Sequence, residues 1–406
     1  MSRVSLPRWV VTIVLCLTCT LGTYGAVTSL SAGASTSSPT YYACLKSGDL
    51  SEVSTTSHSC STGYVAVSWN ATGPRGAKGR TGPQGQSGSP LDLSKVATLN
   101  WSGWLGVRNL SGGSYGFDGP YAIAFDGRAL WVANYFNDSV TEVNASNGSW
   151  IRTLSGGSYG FDGPYGIAFD GTHVWVANQN GNSITELSTN GSWIRTLSGG
   201  SYGFDEPDGI AFDGTHVWVA NQNGNSVTEL NASNGSWIRT LSGGSYGFVD
   251  PVSIAFDGRA LWVTNYFGNS VTEVNASNGS WIRTLSGGSY GFDVPEGIAF
   301  DGADLWVSNA VGDSVTEFNT NGSWIRTLSG GSYGFDKPDG IAFDGSHVWV
   351  TNENGDSVTE LDASNGSWVQ TLSGGSYGFD VPVAIAFDGS HLWVTNESSI
   401  TDFPAA

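Results

Sequence analysis

The chain has 406 residues, with 58 glycines, 17 tryptophans and only 13% charged side chains, and a formal net charge of −19. Low charge with many aromatics excludes a disordered polymer, because such a chain has enough apolar surface to fold. The charge is uneven: residues 1–100 carry a net +4 and residues 101–406 a net −23, which excludes nucleic acid and anionic membrane surfaces as partners of the larger part; it would attract cations or a basic partner, but the preferred reading is that it keeps a surface protein soluble.

Arg3 and Arg8 precede an uncharged apolar run from Trp9 to about Leu21, and Ala32-Gly33-Ala34 fits a cleavage site. Residues 1–34 therefore read as a signal peptide or, uncleaved, as an N-terminal membrane anchor that leaves the arginines in the cytoplasm. Either way the rest of the chain is exported to the extracytoplasmic side, secreted or at the cell surface. Threonines and glycines in the run favour cleavage.

Residues 35–72 hold Tyr41-Tyr42-Ala43-Cys44 and the alternating run Tyr64–Asn70, as expected of a half-buried strand. In an exported chain Cys44 and Cys60 make the one plausible disulfide, so this segment reads as a small disulfide-closed hairpin head. Glycine then recurs every third residue from Gly73 to Gly88, with Pro74 and Pro83 at X positions. Residues 73–90 thus resemble a bacterial collagen-like strip. With five full triplets the preferred reading is an extended basic linker. The sharper one is a homotrimer held through the strip.

Ser-Gly-Gly-Ser-Tyr-Gly-Phe occurs seven times, from Ser111 to Ser373, at spacings of 43 or 44 residues. That period suits four-stranded propeller blades. Residues 207–241 show one unit. Gly209–Phe212 is a continuous apolar inner strand, Asp213-Gly214 a turn, and Val217–Ala220 the second strand. Ser226–Leu230 is the third strand, Asn234-Gly235 another turn, and Ser236–Leu241 the outer strand. A lone four-stranded sheet cannot bury two apolar faces, whereas a ring of them can. The expected fold of residues 101–406 is all-β, a seven-bladed β-propeller of four-stranded blades. Repeated tryptophans of the second and outer strands, such as Trp175 and Trp193, are expected to fill the space between blades.

Ile-Ala-Phe-Asp-Gly appears seven times but Gly-Ser-Trp only six, and the last unit stops after Ser399–Asp402. The segment Trp104–Leu110 resembles the missing outer strand. The last blade is therefore expected to be closed by this N-terminal outer strand, leaving no raw edge.

At Pro164–Gly171 and Val174–Asn178 the chain resembles the NHL and YVTN families of β-propeller repeats, and Leu261-Trp262-Val263-Thr264-Asn265 is close to the YVTN signature. The resemblance implies the fold. Such propellers include binding scaffolds, surface proteins and some enzymes. Streptogramin lyase and lactonase propellers use acidic residues, histidine and a divalent metal near the channel.

Function is expected where the blades differ. The residue after the proline that opens each inner strand is Tyr121, Tyr165, Asp208, Val252, Glu296, Asp339 or Val383, with Glu206, Asp250 and Lys337 just before that proline. The loop between second and third strands carries Tyr135-Phe136, Tyr266-Phe267, Gln179, Gln222 or Glu353. Both loops are expected at one mouth of the channel, so the candidate ligand site is Tyr121, Tyr135, Phe136, Tyr165, Glu206, Asp208, Tyr266, Phe267, Glu296, Asp339 and Glu353. The aromatic and acidic mixture suits a sugar, a peptide or a cation. No catalytic residue and no metal ligand set is singled out, and no cofactor is implied, with calcium at the acidic mouth left open.

His173, His216, His347 and His391 follow Asp-Gly in the first hairpin, on the opposite face, and read as turn residues, as does the aspartate of each Phe-Asp-Gly. The lyase pattern does not transfer. The chain reads as a non-enzymatic, surface-displayed binding scaffold for an extracellular protein or polysaccharide. The alternatives are a metal-dependent lyase or lactonase-like enzyme and a purely structural surface protein.

Overall fold

A computed structural model describes residues 40–46, 49–54, 56–57, 59–62, 65–70 and 106–405. The signal or anchor segment, the collagen-like strip and Trp104-Leu105 lie outside the described residues. Among the described residues no helix is long and apolar enough to cross a membrane. The chain divides into two units, Met1–Ser89 and Pro90–Ala406.

In the first unit, β1 (Thr40–Lys46) pairs antiparallel with both β2 (Asp49–Ser54) and β3 (Val65–Asn70). The head is thus a three-stranded sheet rather than the expected hairpin. The extra strand, Asp49-Leu50-Ser51-Glu52-Val53-Ser54, is polar, and its composition gave little strand signal. Cys60 is disulfide-bonded. The side chain of its expected partner, Cys44, lies outside the described residues.

The second unit contains seven four-stranded sheets. In the first blade β5 (Pro120–Phe125), β6 (Ala129–Asn134), β7 (Ser139–Asn144) and β8 (Trp150–Ser155) form an antiparallel meander. The last blade is Ile385–Phe387, His391–Thr395 and Ile400–Pro404, completed by β4 (Arg108–Leu110) from the other end of the chain. The expected closure is therefore present, confined to three residues with Val107 buried beside them.

Each blade is built on one buried tryptophan. Trp131 in β6 is fully buried, so its indole N–H needs a partner. Asp126 of the preceding turn supplies it: Oδ2 accepts from Trp131 Nε1 at 2.8 Å, and Oδ1 accepts from the N–H groups of Arg128 and Ala129. The aspartate-to-tryptophan bond recurs in the other blades, from Asp170–Trp175 to Asp388–Trp393. The aspartate thus does turn chemistry and also pins the core.

That core lies at the blade boundaries. Trp131, Val140 and Leu154 pack with Ile167, Val174 and Leu187 of the next blade, and Trp393 and Ile400 of the last blade pack with Ile123 and Leu130 of the first. Each sheet is therefore stable only in the ring.

The outer-strand tryptophans correct the sequence reading. Trp150, Trp193, Trp237, Trp281, Trp324 and Trp368 are 45–48% exposed at the rim, not between blades. Each indole N–H is instead bonded along its own strand, as in Trp150 Nε1 to Thr153 Oγ1 at 3.0 Å.

A buried acid lies opposite a basic outer-strand residue in most blades. Glu142 faces Arg152 and also meets Arg128. Glu186, Glu229, Glu273 and Glu317 meet Arg195, Arg239, Arg283 and Arg326. In the sixth blade Gln370 donates to Glu360, and in the last Arg108 grips Asp402. Burial pushes the Glu317 carboxyl up to about 7 against the pull of Arg326.

Candidate functional site at the channel mouth

The mouth is positioned by a link between neighbouring blades. The residue before each inner-strand proline has a left-handed backbone: Gly119, Gly163, Glu206, Asp250, Val294, Lys337 and Val381 all have φ between 50° and 60°. Glycine meets this demand freely. Valine does so only with strain, because Cβ crowds the backbone there. Six of these residues donate their N–H to an Asn or Asp side chain in the previous blade's second loop, as Glu206 does to Asn182 Oδ1 at 2.6 Å and Val294 to Asn269 Oδ1 at 2.7 Å. These loop residues, from Asp138 to Asp356, are themselves left-handed. At the seventh boundary Gly119 N–H donates to the Glu397 carbonyl.

The residue after the proline is thereby held at the wall of the channel. A cavity of about 620 Å³ lies there, lined by inner-strand residues of every blade. Of the expected site, Tyr121, Tyr165, Asp208, Tyr266, Phe267, Glu296, Asp339 and Glu353 line it. Tyr135 and Phe136 stand behind Tyr121 in edge-to-face contact, with Phe136 largely exposed. Glu206 is exposed and lies outside the lining.

The walls are asymmetric. Tyr121 and Tyr165 of adjacent blades stack at 4.9 Å, and Tyr135 meets both edge-on. Asp208, Glu296 and Asp339 supply the acidic groups. Asp208 is only 7% exposed, and among the described residues no hydrogen bond to its carboxyl group is present. Burial, then the nearby Asp339 and Glu206, hold its carboxyl well above the usual range. Burial with Glu296 and Glu353 does the same for Asp339. Burial and Asp208 push Glu296 up to about 8. Lys337 forms an ion pair with Glu353 at 2.5 Å. Burial disfavours the Lys337 ammonium, but the bond to Glu353 and the fields of Asp339 and Glu296 outweigh it and raise its pKa.

Sequence reasoning missed two positioning devices. The second strands carry Ala133, Ala177 and Ala220 in the first three blades, but Thr264, Ser308 and Thr351 in the next three. Those hydroxyls donate across the boundary to the carbonyls of Glu296, Asp339 and Val383. The Ala-to-hydroxyl change was visible, but its partner was not. Inner strands also approach closely at glycine: a Cβ on Gly209 would lie 2.3 Å from the Val252 carbonyl oxygen.

The histidines lie at the other end of the second strands. His216 pairs with Asn231 at one end and Asn221 with Ser226 at the mouth end. His216 Nδ1 is 3.1 Å from Asp213. Among the described residues no group of three or more His, Cys, Asp or Glu is spaced to hold a metal ion.

No family model matches the chain, and no curated protein matches it. Solved structures do. A streptogramin B lyase aligns with a TM-score of 0.58 at 18% identity, covering 73% of this chain and 96% of its own. Virginiamycin B lyase from Staphylococcus aureus, solved with quinupristin as a catalytically inactive variant, gives 0.62 at 18% identity over 74% and 99%. The WD40 repeats of RRP9 give 0.60 at 14% identity over 73% and 97%. At these identities the likeness shows the seven-bladed β-propeller fold alone.

Proposed function

We propose that the chain is an exported or surface-displayed binding protein that holds its ligand at the channel mouth, with an extracellular protein or polysaccharide as the carrier of that ligand. One observation carries this reading. The blades are near-copies, yet the residue after the inner-strand proline changes from tyrosine to acid to valine, and these residues line a single cavity. A symmetric scaffold that concentrates its asymmetry in one place has the form of a binding site.

An enzymatic reading draws on the likeness to streptogramin B lyase, which is a likeness of fold. Here the repeat histidines sit at the far ends of the second strands, beside turn aspartates. The mouth offers carboxylates and phenols without an imidazole. Binding is therefore the better supported reading.

The test uses the full chain as bait against surface polysaccharides and extracellular proteins of the source cell, beside a variant with Tyr121, Tyr135, Tyr165 and Tyr266 changed to alanine. Capture by the native chain and loss in the variant support the mouth. Equal capture by both refutes it.

A further inference from the structure

We infer that the ligand of this mouth carries an organic ammonium group, seated among Asp208, Glu296 and Asp339, with its apolar body against Tyr121 and Tyr165. This rests on the reading of the mouth as the binding site and names the chemistry of what enters it.

Three observations support it. First, Asp208 is only slightly exposed, lines the cavity and, among the described residues, has no hydrogen-bond donor on its carboxyl group. A charged donor from a ligand bonds such a carboxyl directly and favours its ionised form. Second, the chain already places one ammonium in this field: Lys337 lies in the same lining, bonded to Glu353. Asp208, Glu296 and Asp339 remain without such a partner. Third, the cavity wall beside Asp208 is aromatic. The stacked Tyr121 and Tyr165 offer π surface to a cation and to the carbon skeleton behind it.

A bare metal ion fits less well. It needs several oxygens converging within bonding distance, and among the described residues no three acids do so. An ammonium can instead bond one or two carboxylates while its body spans to the tyrosines. Because Asp208, Glu296 and Asp339 all hold their protons to unusually high pH, an arriving cation displaces protons from them. The other titratable groups lining the cavity with them are Glu353, Lys337, Tyr121, Tyr165 and Tyr266, and Glu206 acts on Asp208 from outside it.

The experiment is titration calorimetry on the full chain at pH 7. Its probes are phenethylamine, N-acetylphenethylamine, N-acetyl-lysinamide and calcium chloride, repeated in two buffers of different ionisation enthalpy. The expected result is that an amine binds at least tenfold tighter than N-acetylphenethylamine, releases protons, and loses at least tenfold in Asp208→Asn. Tighter phenethylamine points to a small arylamine; tighter N-acetyl-lysinamide points to a lysine side chain. Asp208→Asn replaces a buried acid by a neutral amide of the same shape, so its melting temperature, unchanged or raised, confirms folding. The inference is overturned by equal binding of the neutral amide, by no amine binding, or by calcium occupying the site and excluding the amine. Surface capture lost in the tyrosine variant but intact in Asp208→Asn would overturn the ammonium alone and leave the mouth standing.

Discussion

The Thr264 hydroxyl donates to the main-chain carbonyl of Glu296 at 2.8 Å, across the boundary between the fourth and fifth blades. Blades one to three have alanine at the matching position, so Thr264→Ala puts back a residue the fold already tolerates. Losing one such bond should cost about 1 kcal/mol, read from urea unfolding. It should also weaken ligand binding at the mouth, because the Glu296 backbone loses its anchor. Equal stability and equal binding would show that the hydroxyl does not position the acid.

The two classes of tryptophan should separate cleanly. Trp218→Ala leaves a cavity and strips Asp213 of its indole donor, and about 3–5 kcal/mol should be lost. Trp237→Ala, at the half-exposed rim, should cost about 1 kcal/mol or less. Chemical denaturation of both variants checks this. Comparable losses would mean that the rim indoles are structural after all.

Stability should fall as pH rises from mildly acidic to mildly alkaline. Glu317 at about 7 and Glu296 at about 8 are both raised from 4.5, so between those values the folded chain binds protons that the unfolded chain has released. Their stabilisation is full below 4.5 and is lost as pH passes 7 and then 8. Asp213, Asp344 and Asp388 are lowered from 3.8: their hydrogen bonds to Trp218, Trp349 and Trp393 and to turn N–H groups outweigh burial. These aspartates stabilise above 3.8, an effect lost as pH falls further. Calorimetry should show a higher melting temperature at pH 5.5 than at pH 8.5, with the difference reduced in Glu296→Gln.

Val294 occupies a left-handed backbone at φ 56°, where a β-branched residue is crowded. Val294→Asn keeps the N–H that Asn269 accepts and suits the conformation. A gain of about 1 kcal/mol is expected in urea unfolding. No gain would show that the neighbouring loops have already absorbed the strain.

Most of the fold was legible because repetition multiplies weak signals. One Asp-Gly is an ambiguous turn; seven at a fixed period define a hairpin in every blade. The closure was legible from a missing Gly-Ser-Trp. What sequence could not supply was the direction of side chains across blade boundaries. Trp175 and Trp193 have the same chemistry and similar strand contexts, yet one faces the neighbouring blade and the other the rim, because a bulge between Glu186 and Leu187 shifts the outer-strand register. Among the candidate site residues, position after the proline was enough to place Asp208 and Glu296 in one cavity. It could not show that Glu206, two residues earlier, lies outside the lining, because that depends on the left-handed backbone of Glu206 itself.

The three-residue strand Arg108–Leu110 has a mechanical consequence. Chain arriving through Val107 enters the ring at this strand, which lies antiparallel to Ile400–Pro404 with Arg108 opposite Asp402. Tension on that side reaches buried Val107, packed with Phe403, and then the Arg108–Asp402 rung of this short ladder. The last blade is therefore the fuse of the molecule: under load it opens first, and the other six blades still have four covalently continuous strands each when it does.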